Sequence, residues 1–196
     1  WRDIKTRYAQ SILGIGWAVI QPLFSMIVFT IVFGNLAKID SNGVPYAIFS
    51  FTALVPWTYF SAALSSSSGS LLSSSGMMTK VYFPRLIIPI SPVISKLIDF
   101  FIALILLAGM MLYYGFSPST DIIYLPMLIL IMMFTASGLG MWFTALSIQY
   151  RDINYGMGFF IQLLMYVAPV VYPASSVPDT YRTLYGLFPM AGVIEG

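Results

Sequence analysis

Few side chains in this 196-residue sequence could do chemistry, and most of them lie in short segments between long apolar runs. The sequence contains no histidine and no cysteine, which excludes imidazole and thiolate metal sites, cysteine nucleophiles and histidine acid–base catalysis within it. It also lacks the G-x-x-x-x-G-K-[ST] pattern of a nucleotide-binding P-loop and any neighbouring pair of acidic residues that could hold a metal. We therefore predict that the chain is not an enzyme and that it holds no metal or cofactor of its own.

Two cations bracket an aromatic centre in the segment 79–85, which consists of Thr79, Lys80, Val81, Tyr82, Phe83, Pro84 and Arg85. Aromatic rings and cationic side chains are favoured at a membrane–water interface, where the ring and the charge can face different media. Long apolar runs lie on both sides of the segment. We interpret it as an elbow at the cytoplasmic membrane surface that a soluble partner protein can grip.

The composition identifies the medium in which the chain folds. The sequence is 59% hydrophobic and 8% charged, whereas a soluble domain carries about 25% charged residues. We therefore predict an all-α integral membrane protein. A spanning helix needs about 20 apolar residues, and the runs predicted to span are 16–33, 46–72, 90–114, 122–148 and 155–171. Because the chain lacks an initial methionine and stops abruptly, we expect a single transmembrane domain over 1–196, trimmed at both ends, with a sixth span in the missing sequence.

The two ends of the chain are predicted to lie at the membrane surface or to enter it only partly. The apolar residues at the start, Trp1, Ile4, Tyr8, Ile12 and Ile15, form one helical stripe. This stripe indicates either an amphipathic interface helix or a basic flank that only orients the first span. After Val171, prolines divide the sequence into pieces too short to span, which favours short re-entrant helices.

The basic residues predict the orientation. With the N-terminus in the cytoplasm, six of the nine lie on the cytoplasmic side, namely Arg2, Lys5, Arg7, Lys80, Arg85 and Arg151. Lys38 and Arg182 lie outside. The positive-inside rule therefore favours a multi-pass protein with a cytoplasmic N-terminus.

Small and polar residues within the runs predict helix packing. The serine-rich stretch 65–75 is mixed with apolar residues, so we interpret it as a site of close helix contact and not as a linker. Ala136, Gly140 and Thr144 recur at a spacing of four and indicate a packing face. Lys96 and Asp99 stand three residues apart and are predicted to pair near the membrane interface, although ionisable groups within a span are often functional.

Two helix faces could line a path across the membrane. One consists of Trp17, Gln21, Ser25, Phe29 and Phe33, and the other of Tyr155, Phe159, Gln162 and Tyr166. Spacings near four place each set on one helix face. An aromatic stripe is more often lipid-facing or part of a packed core, but the interleaved glutamines favour a lined, partly wet surface.

The most specific motifs are spread over the whole chain. They are Trp1-Arg2-Asp3-Ile4-Lys5-Thr6-Arg7-Tyr8, Leu13-Gly14, Gly16-Trp17, Gln21-Pro22, the elbow, Tyr150-Arg151-Asp152, Ala168-Pro169-Val170-Val171-Tyr172-Pro173 and Pro189-Met190-Ala191-Gly192. Each motif alone is weak. Together they resemble the membrane subunits of ABC exporters that move polysaccharides such as O-antigen, capsule or teichoic acid.

This resemblance implies a homodimer in the bacterial inner membrane, with six spans per chain and a glycan channel at the dimer interface. It implies that a pair of separate ATPase subunits binds Mg-ATP and pushes the elbow, which corresponds to the family's coupling helix, while the first and fifth spans line the channel. Arg2, Lys5 and Arg7 would then meet the diphosphate of a lipid-linked glycan. Tyr172 and Pro173 correspond to the region that narrows the outer exit. The expected partners also include membrane lipid but no nucleic acid.

Other functions fit parts of the pattern. An ABC exporter of drugs or small lipids would share the architecture. An integral membrane glycosyltransferase is disfavoured by the absence of an acidic cluster, and a non-transporting scaffold would explain the packing stripes but not the elbow.

Overall fold

The computed structural model of the protein describes residues 16–36, 38, 44–74, 86–116, 120–150, 152–172, 186 and 188–195. The predicted interface helix (1–15) and the elbow (79–85) lie outside these ranges. All regular structure within them is helical, which confirms the predicted fold class.

The described ranges contain eight α-helices. They are α1 (Gly16–Phe29), α2 (Tyr46–Ser68), α3 (Ser70–Ser73), α4 (Ile87–Ser95), α5 (Leu97–Tyr113), α6 (Leu125–Gln149), α7 (Asp152–Val167) and α8 (Pro189–Glu195). A π-helical segment, Thr30–Leu36, extends α1, and a 3-10 segment, Thr120–Tyr124, leads into α6. Proline is favoured in the first turn of a helix because the backbone N–H that it lacks would have no partner there, and Pro126 occupies this place in α6.

Four helical stretches are long and apolar enough to cross a membrane: Gly16–Leu36, Tyr46–Ser68, Ile87–Tyr113 and Ile122–Gln149. They match the first four predicted runs, with differences of a few residues at their ends. The fifth run differs, because α7 has 16 residues and ends at Val167. This length is below the roughly 20 residues that a spanning helix needs.

Helix α2 is the centre of the bundle. It contacts α1, α4, α5, α6, α7 and α8, and its side chains Phe51, Phe60, Ala63 and Leu64 are fully shielded. A helix that is apolar on all sides is stable where neighbours surround it. The run 46–72 contains no charged residue, so α2 can be surrounded by neighbours without burying a charge.

The third span consists of two helices that meet at Lys96, since α4 ends at Ser95 and α5 begins at Leu97. The phenol of Tyr59 donates a hydrogen bond of 3.0 Å to the carbonyl oxygen of Val93, close to this junction. The junction is therefore fastened to the central helix by a buried side chain.

The end of α5 is set by a glycine. Gly115 has a φ of +71°, a backbone conformation that glycine adopts without strain. The N–H groups of Gly115 and Phe116 bond back to the carbonyl oxygens of Leu112 and Met111 at 3.2 and 2.9 Å. Two such bonds satisfy carbonyls of the last helical turn and end the helix at this point.

Residues 188–195 form a short element that packs into the bundle. The ring of Phe188 lies 6.3 Å from that of Phe60, which is near the middle of α2, and Met190 and Ala191 are buried. The re-entrant helices expected over 172–196 stay a prediction, and residues 173–185, 187 and 196 of that region lie outside the described ranges.

Candidate functional site

A cleft of about 510 Å³, lined mainly by apolar surface, lies among α1, α2, α5 and α7. Trp17, Tyr59 and Phe100 contribute aromatic surface to it. Its polar lining consists of Gln21 from α1, Thr58, Ser61 and Ser65 from α2, and Lys96 and Asp99 from the start of α5. The ion-pairing residues and the amide of Gln21, brought together among apolar helices, make this open cleft the candidate site.

The hydroxyl groups of Thr58 and Ser61 in the α2 wall donate to carbonyl oxygens of their own helix and not into the cleft. Thr58 donates to the carbonyl oxygen of Val55 at 3.0 Å, and Ser61 donates to that of Thr58 at 3.1 Å. Hydroxyl groups that bond back to their own helix keep their oxygen lone pairs as acceptors. This wall of the cleft therefore offers acceptors within a helix that has no charge.

Lys96 and Asp99 form an ion pair on the opposite wall. Lys96 Nζ lies 3.5 Å from Asp99 Oδ2, which confirms the predicted pairing at a spacing of three. Asp99 also lies in the first turn of α5, where the helix dipole favours an anion. The pair carries no net charge, so the free energy of placing two ionic groups within the bundle is lower than for two separate ions.

The predicted channel residues of α1 separate into two groups. Trp17 and Gln21 line the cleft. Ser25 donates to the carbonyl oxygen of Gln21 at 3.1 Å. The rings of Phe29 and Phe33, with centroids 5.4 Å apart, are partly buried against the apolar core. Only the members of this stripe in the first two turns of α1, Trp17 and Gln21, therefore line the cleft.

The predicted channel residues of α7 share one exposed face. Tyr155, Phe159, Gln162 and Tyr166 are all exposed, whereas Met157, on the opposite side of the helix, is buried. Two other residues, Gly158 and Ile161, belong to a neighbouring face and line the cleft. Helix α7 thus closes one side of the cleft and presents a separate aromatic face beside it.

Buried hydroxyl groups join the ends of α2, α4 and α6. Thr144 Oγ1 lies 2.7 Å from the carbonyl oxygen of Ser67 and 2.6 Å from that of Gly140 in its own helix, and its one proton faces both acceptors. The hydroxyl of Ser67 donates to the carbonyl oxygen of Pro89 at 2.7 Å. Ser147 Oγ lies 3.1 Å from the carbonyl oxygen of Ser68 and 2.8 Å from that of Thr144 in its own helix. We refer to Ser67, Ser68, Pro89, Thr144 and Ser147 as the serine joint. Its geometry confirms that the serine-rich stretch is a site of helix contact.

The backbones of α2 and α6 approach most closely at Gly140. A Cβ atom at this position would overlap the Oγ atom of Ser67 and lie 2.8 Å from its Cβ. Ala136, Gly140 and Thr144 are all buried, as predicted for a packing face. The absence of a side chain at Gly140 is what permits the hydrogen bonds of the serine joint.

The serine joint lies at the base of the elbow. The elbow residues themselves are outside the described ranges, but the helix before them, α3, and the helix after them, α4, contact each other and α6. A displacement applied to the 75–85 connection would therefore act on α2, α4 and α6 together.

Two tyrosine phenols form hydrogen bonds near the start of α2 and the end of α7. Tyr46, at the start of α2, donates to the carbonyl oxygen of Val171 at 3.0 Å. Tyr172 donates to the carbonyl oxygen of Tyr166 at 2.9 Å, which satisfies one of the last carbonyls of α7. Burial raises the pKa of the Tyr172 phenol, so it remains a neutral donor at physiological pH. The other predicted gate residue, Pro173, and the predicted diphosphate contacts Arg2, Lys5 and Arg7 lie outside the described ranges.

Comparison with known proteins identifies the family. The family model described as ABC-2 type transporter matches residues 1–196. The chain belongs to this family. Among curated relatives of this ABC-2 type transporter chain, the O-antigen export system permease protein RfbA of Myxococcus xanthus is 28% identical over 91% of this chain and 68% of its own length. A protein of the same name from Klebsiella pneumoniae is 26% identical over 98% of this chain and 74% of its own length. The polysialic acid transport protein KpsM of Escherichia coli is 20% identical over 99% of this chain and 76% of its own length.

The sequence of this ABC-2 type transporter chain predicted the ion pair of the candidate site but not the cleft or the role of Tyr59. Lys96 and Asp99 are the only charged residues within the predicted spans, which is a signal for a functional position. Their spacing predicts the ion pair but not the cleft, because the cleft depends on how α1, α2 and α7 pack around α5. No sequence signal distinguishes the phenol of Tyr59 from the other aromatic groups of its run.

Proposed function

We propose that this chain is the membrane subunit of an ATP-driven exporter that moves a lipid-linked polysaccharide of the O-antigen type from the cytoplasm across the bacterial inner membrane. The observation that carries the proposal is the similarity over nearly the whole chain to curated relatives named O-antigen export permeases, 26% identical over 98% of the chain in one case. The chain supplies the membrane path, and a separate pair of ATPase subunits binds and hydrolyses Mg-ATP.

The exposed face of α7 supports a polysaccharide path. Its three aromatic residues and Gln162 are accessible, and Phe159 is 67% exposed. Apolar contact between sugar faces and aromatic rings is weak for each ring and tolerant of sequence, which suits a polymer that must slide. The channel-lining role predicted for this face and for the start of α1 is therefore retained in the proposal.

The same face supports a homodimer. Within the described part of the chain, four side chains of α7 make up a face that no neighbouring helix covers (Tyr155, Phe159, Gln162 and Tyr166). Most soluble and membrane homo-oligomers close around a symmetry axis, and a second copy would place two such faces around one channel.

The elbow is the proposed contact with the ATPase subunits. Thr79 to Arg85 lie between α3 and α4, and these helices are joined to α6 through the serine joint. ATP-driven closure of the ATPase pair would push the elbow and move three helices as one unit. Arg2, Lys5 and Arg7 would hold the diphosphate of the lipid carrier at the cytoplasmic surface, and Tyr172 and Pro173 would border the outer exit.

The decisive experiment deletes the gene in its host and measures surface glycan and internal lipid-linked glycan. Loss of surface glycan together with accumulation of the internal form is expected. Unchanged surface glycan in a host without a second exporter of this family would overturn the proposal and favour export of drugs or small lipids.

A second experiment addresses the elbow alone. Replacing Phe83 and Arg85 together with alanine is expected to reduce transport and the stimulation of ATP hydrolysis, with the permease still present in the membrane. Normal assembly and normal transport in this variant would show that the ATPase binds another segment of the permease.

A further inference from the structure

One tyrosine joins two helices of the proposed export path at the end of the bundle opposite the serine joint. Tyr46 is the first residue of α2. Its ring lies against Gly34, in the π-helical segment that extends α1, and its phenol donates to the carbonyl oxygen of Val171 at 3.0 Å. Val171 lies just beyond the end of α7. The side chain of Tyr46 therefore connects the far ends of α1 and α7.

The position of the Tyr46 ring depends on the absence of a side chain at Gly34. A Cβ atom at Gly34 would lie 2.9 Å from the Cγ atom of Tyr46 and 3.0 Å from its Cβ and Cδ1 atoms. Carbon atoms in contact are about 3.5–4.0 Å apart, and atoms at the base of a side chain move only if the helix shifts or the rotamer changes. Gly34 therefore determines where the phenol of Tyr46 lies.

The carbonyl that accepts this bond belongs to a buried turn. Regular helix ends at Val167, and residues 168–171 are all buried. A turn leaves backbone carbonyls without the partners that a helix supplies, and water does not replace them inside an apolar bundle. The phenol of Tyr46 supplies the partner at Val171 from another helix. Such a bond can be broken and re-formed by rotation of one side chain, with every helix intact.

The turn also carries a residue of the predicted exit. Tyr172 follows Val171 directly, and its phenol donates to the carbonyl oxygen of Tyr166 at 2.9 Å. A displacement of Val171 therefore moves Tyr172 as well. Tyr46 thus acts on the exit through the backbone of the turn.

We propose that Tyr46 is a latch on the outer exit. Its bond to Val171 holds the turn after α7 against α1 and α2 while no glycan passes, and the exit opens when this bond breaks. The inference rests on the proposed function and adds to it a positioning residue that controls the exit bordered by Tyr172 and Pro173. Gly34 belongs to the latch, because it fixes the ring that presents the phenol.

A single thiol in the proposed path reports whether the exit is open. The 196 residues contain no cysteine, and any cysteine elsewhere in the full-length chain would first be replaced by serine. Gln162→Cys places a thiol on the exposed face of α7, and Ser137→Cys places a control thiol on α6, outside the proposed path. The full-length permease with its ATPase would be studied in right-side-out membrane vesicles from a strain that makes no glycan, so that no polymer covers the thiol. The rate of reaction with a membrane-impermeant maleimide added outside would be measured.

Tyr46→Phe removes the hydrogen bond and keeps the ring. If one bond between membrane helices holds the exit closed, its loss should speed the reaction of the Q162C thiol about threefold, and at most about twentyfold. Gly34→Ala displaces the ring and should also speed the reaction. The two changes together should give no faster reaction than Y46F alone, because both release the same bond.

Matched changes separate the latch from a general loosening of the bundle. Tyr113 is an exposed tyrosine at the end of α5, and a Cβ atom at Gly109 meets nothing within 4 Å. Y113F and G109A should therefore leave the Q162C rate unchanged. The S137C thiol should react at the same rate with and without Y46F.

Each contrary result overturns the inference. Equal Q162C rates with and without Y46F would mean that the bond does not hold the exit closed. Equal acceleration of S137C would mean that the whole bundle has loosened, and multiplied effects of G34A and Y46F would mean that the two residues act separately. No reaction of Q162C in any variant would assign the α7 face to lipid. If gene deletion abolishes surface glycan while Y46F leaves the Q162C rate unchanged, the latch alone is wrong. If deletion leaves surface glycan unchanged, the proposed function itself is wrong.

Discussion

The hydroxyl oxygen of Thr144 on α6 lies 2.7 Å from the carbonyl oxygen of Ser67 on α2 and 2.6 Å from that of Gly140 in its own helix, within hydrogen-bond distance of both. The same Ser67 donates through its own hydroxyl to Pro89 on α4 at 2.7 Å. One serine thus links three helices at the base of the elbow. In a membrane, where water is not available to backbone groups, such bonds hold helices in one relative position. The relative position of α2, α4 and α6 determines how far a displacement of the elbow is transmitted into the bundle.

Gly140→Ala is expected to disrupt the serine joint. The new methyl group would overlap the side chain of Ser67, which cannot rotate away without losing its bond to Pro89. Overpacking of this kind lowers the free energy of unfolding by about 1–3 kcal/mol. The thermal midpoint of the purified permease, followed by size-exclusion chromatography after heating, should fall.

Gly138→Ala is the matched control on the same helix. A Cβ atom at Gly138 meets nothing within 4 Å, and alanine is the better helix former. Its thermal midpoint should stay equal to that of the wild type or rise slightly. Equal midpoints for G140A and G138A would contradict the close approach of α2 and α6.

Thr144→Val tests the hydrogen bond separately from the packing. Valine has nearly the shape of threonine but cannot donate to Ser67, so a loss of about 0.6 kcal/mol, and at most about 1.7, is expected in a membrane helix. Thr144→Ser keeps the hydroxyl and should lose less. Thr135 donates only to Ile131 of its own helix at 2.8 Å. Thr135→Val should therefore leave the stability almost unchanged, and a loss as large as that of T144V would show that the effect is local to the helix.

Tyr59→Phe should loosen the junction of α4 and α5. The phenol is buried and bonds to the carbonyl oxygen of Val93 at 3.0 Å, and a buried carbonyl left without this partner costs about 1–3 kcal/mol. Tyr113 is an exposed tyrosine at the end of α5, so Tyr113→Phe serves as the control. A lower thermal midpoint for Y59F alone is expected. Similar midpoints for both variants would mean that the Val93 carbonyl has another partner of equal strength.

The sequence was sufficient to predict the helices because their signal is local. Runs of apolar residues predict four spanning helices, and the spacing of Ala136, Gly140 and Thr144 predicts a packing face that the structure confirms. The bounds of α7 were not predicted correctly, since the helix begins at Asp152 and ends at Val167 and the predicted run was 155–171. Apolar residues continue from Val167 to Val171, but Ala168 to Val170 form turns and end the regular helix. Pro169 within this stretch removes a backbone donor, which explains why apolar character outlasts helical structure.

The cleft could not be predicted because it belongs to four helices and not to one. The spacing of Lys96 and Asp99 indicates a pair, yet whether the pair faces lipid, core or a cavity depends on the neighbours of α5. The stripe on α1 shows the same limit. Trp17 lines the cleft, whereas Phe33, on the same predicted face, packs against the core. Phe29, which precedes the π-helical segment at Thr30, already packs against the core, so the change along this stripe follows from the neighbours of α1.

Phe159→Ala distinguishes a channel surface from a lipid-facing surface. Phe159 on α7 is 67% exposed and Phe134 on α6 is 74% exposed, so neither ring contributes much to packing within the subunit. If the α7 face meets the moving glycan, loss of one ring contact of about 0.5–1.4 kcal/mol should slow export roughly two- to tenfold. Phe134→Ala removes a ring of equal size from a face outside the proposed path and should export at the wild-type rate. The rate at which surface glycan reappears after induced expression would be measured for both variants at equal permease levels. Slower export in F159A with an unchanged thermal midpoint assigns the ring to the path. Equal rates in F159A and F134A would assign the α7 face to lipid, and the channel would then have to be formed by other helices.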